Sequence, residues 1–118
     1  MEPVILVGIG GAIGSLGRFW FSRYQPVGGI PVGTLIVNII GSFVFSLLTF
    51  SQVPGDWYFL VGVGCTGGFT TFSTFSYEAF RMMEDHDYRT LVTYALISIT
   101  GGLLAVAAGY ALTRVWMG

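Results

Sequence analysis

Thr66-Gly67-Gly68-Phe69-Thr70-Thr71-Phe72-Ser73-Thr74-Phe75 interrupts a tract otherwise as apolar as a membrane span. A lipid-facing helix has no use for paired glycines followed by Thr, Ser and Phe in close succession. The glycines weaken the helix, and the hydroxyls carry hydrogen-bonding groups to a depth where water is scarce. Irregular backbone at that depth persists only when buried in protein or lining a wet cavity. The stretch is therefore a candidate functional site, and its residue types suit an ion.

The rest of the chain supports the membrane setting. Soluble domains carry about 25% charged residues, whereas this 118-residue chain carries 9% and is 53% hydrophobic. No charge interrupts residues 3–17, 24–55, 57–77 or 90–113. A spanning helix needs ~20 largely apolar residues. Pro26, Gly28, Gly29 and Pro31 cluster at the start of the second tract and mark a loop. The reading is all-α: four spans at about 4–22, 32–52, 57–83 and 90–113, the third broken, in one membrane domain covering residues 1–118.

Several function classes drop out. No polar stretch is long enough for a soluble domain. The start at Met1-Glu2, without a basic stretch, argues against a cleaved signal peptide. The basic residues are all Arg and too few for nucleic acid. Cys65 is the sole cysteine, which excludes an intrachain disulfide and a Cys-based metal site; it reads as a small packed residue. Asp85, His86 and Asp87 point in different directions and read as a solvated loop. No nucleophile–base pair lies at membrane depth, so an enzyme has no support.

Candidate site residues come from polar groups inside the spans. Gly10-x-x-x-Gly14 gives span one a small-residue packing face. Arg18 closes that span, as a snorkelling side chain or as a cation beside an anion vestibule. Thr34 and Asn38 share one helical face in span two. Asn38 is either interhelical glue or a pore-facing donor, and its two N–H groups suit an anion. Phe72 and Phe75 share a face after the break, flanked by Ser73 and Thr74. Glu78 belongs to an interface or to a pore mouth. Tyr94 and Ser98 share a face in span four, and Arg114 with Trp116 reads as an interfacial anchor.

Four helices do not easily enclose a polar path alone, so a homo-oligomer is expected, most simply a two-fold dimer. Arg23, Arg81 and Arg89 bias the two charged loops towards the cytoplasm. An antiparallel pair would prefer a weaker bias.

Taken together the motifs strongly resemble the small bacterial fluoride channels, the Fluc or CrcB family. The likeness covers all four spans. It rests on Gly11-Ala12 through Gly17-Arg18, on Gly33-Thr34-x-x-Val37-Asn38-x-x-Gly41, and on the Gly67–Phe75 stretch. Phe19 stands where a Tyr often follows the arginine.

The resemblance implies an antiparallel, dual-topology dimer in the bacterial inner membrane, with two fluoride pores that export the ion. It implies that Phe72 and Phe75 present ring edges to the pore and that Asn38, Thr34, Ser73 and Thr74 line it. Tyr94 fits the same track by spacing, and Arg18 sits near the aqueous mouth. Backbone carbonyls at Gly67 and Thr70 would hold a structural Na⁺ at the dimer centre, a fixture that is not transported. Some family members pair with an unlike homologue, so a paired homologue stays open as partner.

The alternatives are a proton-coupled small multidrug-type exporter, which places a carboxylate in its first span, and a membrane assembly subunit without transport. Here Glu2 precedes the first span and Glu78 lies in the third.

Overall fold

A computed structural model describes residues 2–117. The chain runs through helices α1 (Pro3–Phe21), α2 (Val32–Phe50), α3 (Gly55–Trp57), a π-helical segment (Tyr58–Thr66), α4 (Gly67–Phe69), α5 (Phe72–Glu84) and α6 (Tyr88–Met117). Among the described residues there is no strand, only one isolated bridge between Val27 and Ile30. Gly28 and Gly29 between them have φ of 62° and 82°, the left-handed pair that a tight two-residue turn demands.

Three helices are long and apolar enough to cross a membrane: Pro3–Phe21, Val32–Phe50 and Tyr88–Trp116. They occupy the first, second and fourth charge-free tracts. The third tract is helical too, but in short pieces, and no single piece has the length of a span.

Close backbone approach explains Gly10 and Gly14 of α1. A Cβ on Gly14 would overlap the carbonyl oxygen of Cys65, and one on Gly10 would overlap that of Leu60. From the other side, a Cβ on Gly64 would come within 2.7 Å of the Val7 carbonyl, and one on Gly68 would overlap that of Gly11. α1 thus lies backbone against backbone on the π-helical segment and α4, the packing that small residues permit in lipid. The Thr66 hydroxyl closes on the Gly62 carbonyl within that segment.

The second contact joins α2 to α6. The Ser46 hydroxyl donates to the Val106 carbonyl at 2.8 Å, which spares a buried polar group. Phe50 and Tyr110 meet edge to face at 5.0 Å. The whole is a slab of 47 × 32 × 18 Å. Its buried apolar side chains are few: Leu6, Val37, Met82, Tyr94 and Ala105. Large apolar groups such as Leu16, Leu103 and Val115 face outward instead, a surface suited to lipid or to a further chain and costly in water.

Candidate functional site

The Thr66–Phe75 stretch departs from helical geometry one turn later than its glycines suggest. Gly67 is helical at φ −62° and ψ −40°. Thr70 (φ −79°, ψ 161°) and Thr71 (φ −151°, ψ 120°) are the extended residues. Gly68 instead serves the approach of α1, whose Gly11 backbone occupies the space a side chain there would need, whereas a Cβ on Gly67 would meet nothing within 4 Å.

Thr71 organises the start of α5. Its hydroxyl accepts from the Thr74 N–H at 3.0 Å and so caps that helix, whose first N–H groups have no partner within it. The same hydroxyl donates to Thr74 Oγ1 at 3.0 Å and lies 3.3 Å from Ser73 Oγ. With that oxygen accepting, the Thr74 proton remains to be donated elsewhere.

Asn38 reaches this corner from α2. Its Nδ2 donates to the Thr71 carbonyl at 2.9 Å, and its Oδ1 accepts from the Thr71 N–H at 2.7 Å. The amide thus satisfies both backbone groups of one extended residue, which would otherwise be costly in a dry interior. The second Nδ2 proton is left over. Ser42 secures the helix beside it by donating to the Asn38 carbonyl at 2.7 Å.

These bonds divert donors from two carbonyls. Within a continuous helix the Thr71 N–H would bond to the Gly67 carbonyl and the Thr74 N–H to that of Thr70. Here they go to Asn38 and to the Thr71 hydroxyl. Gly67 and Thr70 therefore lose their helical donors. The Thr70 N–H itself still bonds to the Thr66 carbonyl at 2.9 Å.

Two cavities flank this corner. One, of about 220 Å³, has Arg18, Thr34, Thr71 and Thr74 in its lining. The other, of about 620 Å³, is bordered by Asn38, Gly67, Thr70, Phe72, Phe75 and Ser98. Thr71 borders both. Thr34 and Asn38, placed on one helical face by their spacing, thus open towards different cavities.

The phenylalanines are unequal. Phe72 is 79% exposed. Phe75 is half-buried, 6.1 Å from Phe72 between ring centroids and 5.0 Å from Tyr94. Tyr94 is wholly buried, and its hydroxyl donates to Glu78 Oε1 at 3.0 Å. Ser73 is exposed on the opening turn of α5.

Thr71 and Ser42 are the contributors that sequence reasoning does not single out, and Glu78 is one that it leaves between an interface and a pore mouth. Thr71 carries a signal: a threonine three residues before another Thr at a helix start fits an N-cap. The acidic loop is solvated as expected, with Asp87 accepting from the Thr90 N–H at 3.3 Å and His86 lying 3.3 Å from the Tyr88 hydroxyl.

Comparison with known proteins adds an independent finding. Residues 5–110 match the family described as CrcB-like protein, Camphor Resistance (CrcB). The chain is 42% identical over 106 residues to fluoride-specific ion channel FluC 3 of Methanosarcina acetivorans, covering 89% of this chain and 96% of that one. It is 38% identical over 125 residues to fluoride-specific ion channel FluC of Leptospira interrogans, covering 98% and 94%. It is 40% identical over 123 residues to fluoride-specific ion channel FluC 1 of Carboxydothermus hydrogenoformans, covering 100% and 98%. These relatives carry the names of ion channels, not of enzymes.

Proposed function

The chain belongs to the CrcB-like family, and from that premise we propose that it is a fluoride-specific ion channel of a cell membrane. The observation that carries the reading is the corner at Asn38 and Thr71. A broken backbone, its extended residue Thr71 paired at both N–H and carbonyl by one amide, stands between a cavity headed by Arg18 and a cavity walled by Phe72 and Phe75.

An isolated buried ion costs tens of kcal/mol in a medium of low dielectric, so the path must replace water with donors. Arg18, Thr34 and Thr74 supply them on one side of the corner, and the spare Asn38 proton does so beside the rings. Ser73 adds a hydroxyl on the same turn as Phe72. Phenyl edges are weakly positive and carry no titratable group. Contacts of that strength let an anion enter and leave, as conduction requires. A fixed cation beside the rings would hold it, and Arg18 stands on the opposite side of the corner.

The working unit is an antiparallel homodimer with two pores, in the bacterial inner membrane, exporting fluoride. The thin slab, its few buried apolar side chains and the open cavity beside Phe72 support a second copy. In that unit the third tract acts as a broken span.

The Gly67 and Thr70 carbonyls fit a structural Na⁺. Oxygen donors suit a hard cation, and these two have lost their helical partners. Two chains meeting at this point would offer twice the set. Bound there, sodium would take the place of the lost N–H donors by accepting coordination from these carbonyl oxygens, with no part in transport.

The multidrug-exporter alternative lacks its first-span carboxylate, since α1 opens after Glu2 with no acid in its first turn. The deciding experiment is ion efflux from liposomes carrying the purified chain. Rapid fluoride efflux with negligible chloride efflux is expected. Equal flux of both ions, or none, refutes the proposal.

A further inference from the structure

Tyr94 has spacing suited to the anion path, yet its one proton points elsewhere. Its hydroxyl donates to Glu78 Oε1 at 3.0 Å, and a phenol has a single proton to give. Tyr94 is also wholly buried, whereas Glu78 is half-buried on α5. Glu78 follows Phe75 by three residues, so the carboxylate and the phenyl ring share one face of that helix. Between them they hold the same partner: the ring of Tyr94 lies 5.0 Å from Phe75 at 45°, and its hydroxyl is held by Glu78.

From this geometry we infer that Glu78 is a positioning residue, which fixes Phe75 through Tyr94. The inference rests on the fluoride-channel reading, because it gives Phe75 a ring that must be held in place. The chain of cause is short. A buried tyrosine hydroxyl needs an acceptor. Glu78 provides it and so sets the tilt of the tyrosine ring. That ring is the surface on which Phe75 rests, α6 against α5. Phe72 lies 6.1 Å from Phe75 between ring centroids and is itself largely exposed.

An acceptor role predicts a definite pattern. Glu78→Gln keeps an amide oxygen where the carboxylate oxygen stands. Glu78→Val removes the acceptor and strands the hydroxyl. Tyr94→Phe removes the hydroxyl and keeps the ring.

The test uses the full chain in liposomes, with fluoride efflux as one readout. The second is the ¹⁹F resonance of 4-fluorophenylalanine placed at position 75. Glu78→Gln should keep flux within about threefold, whereas Glu78→Val should lose about tenfold or more and shift or broaden the resonance. In a Tyr94→Phe background, Glu78→Val should cost no more than about twofold further, the non-additivity expected of groups acting as one unit. Should Glu78→Val alone fail to fold, the double variant, freed of the stranded hydroxyl, still reports.

Equal losses in Glu78→Gln and Glu78→Val would mean that the charge itself matters and would overturn the inference. So would an unchanged ¹⁹F resonance in Glu78→Val, or a full further loss in the Tyr94→Phe background. Absence of fluoride flux in the unaltered chain would instead strike the channel reading, and the resonance would still report whether Glu78 positions the ring.

Discussion

Asn38 and Thr71 satisfy each other twice, the side-chain amide of one donating to and accepting from the backbone of the other at 2.9 and 2.7 Å. They lie on different helical tracts, 33 residues apart in sequence. The pairing lets an extended residue exist among helices. It also makes Asn38 an interhelical tie with one amide proton left over, so the two roles that sequence reasoning holds apart are compatible.

Asn38→Asp should therefore fail structurally as well as electrostatically. Asp keeps the acceptor for the Thr71 N–H but loses the donor to its carbonyl. An unsatisfied buried group costs ~1–3 kcal/mol, and the new charge repels an anion. Fluoride efflux should fall by about tenfold or more, with a lowered thermal midpoint in detergent. Unchanged flux would remove Asn38 from the path.

Phe75→Ile should reduce fluoride efflux sharply while leaving the assembly intact by size-exclusion chromatography. Isoleucine is apolar and buries well, but it has no positive ring edge to offer an anion. Retained flux with an intact assembly would show that bulk alone, and not the ring, serves conduction.

The helix contacts make a contrasting forecast. A Cβ at Gly14 would overlap the Cys65 carbonyl, whereas one at Gly8 would meet nothing within 4 Å. Overpacking costs ~1–3 kcal/mol or more where backbone cannot shift. Gly14→Val should abolish monodisperse protein, and Gly8→Ala should leave yield and elution unchanged. Equal tolerance at both positions would mean that α1 does not dock on the π-helical segment.

This contact also shows where sequence reasoning stops. Charge-free tracts place α1, α2 and α6 closely, because lipid forbids charge and demands length. The third tract resists the same reading. Its π-helical segment and α4 lie against the backbone of α1 at Gly64 and Gly68, a tertiary contact between segments far apart in sequence. Gly67-Gly68 looks like a helix breaker by propensity, yet both residues remain helical and the extended residues are Thr70 and Thr71. Asn38, Phe72 and Phe75 stand out in sequence because polar or clustered aromatic residues are unusual in a span. Glu78 becomes legible only once Tyr94 is seen buried against it.

The carbonyls of Gly67 and Thr70 carry the last prediction. Their helical donors, the N–H groups of Thr71 and Thr74, are spent on Asn38 and on the Thr71 hydroxyl. Carbonyls stripped of donors at membrane depth require another partner, and a small hard cation is one that oxygen alone can hold. Replacing all sodium with a large organic cation should then abolish fluoride efflux, and returning sodium should restore it. The effect should be independent of which side carries the sodium gradient, because a fixture is not transported. Full efflux without sodium, after extraction long enough to strip a tightly held ion, would mean that these carbonyls find water or a second chain instead.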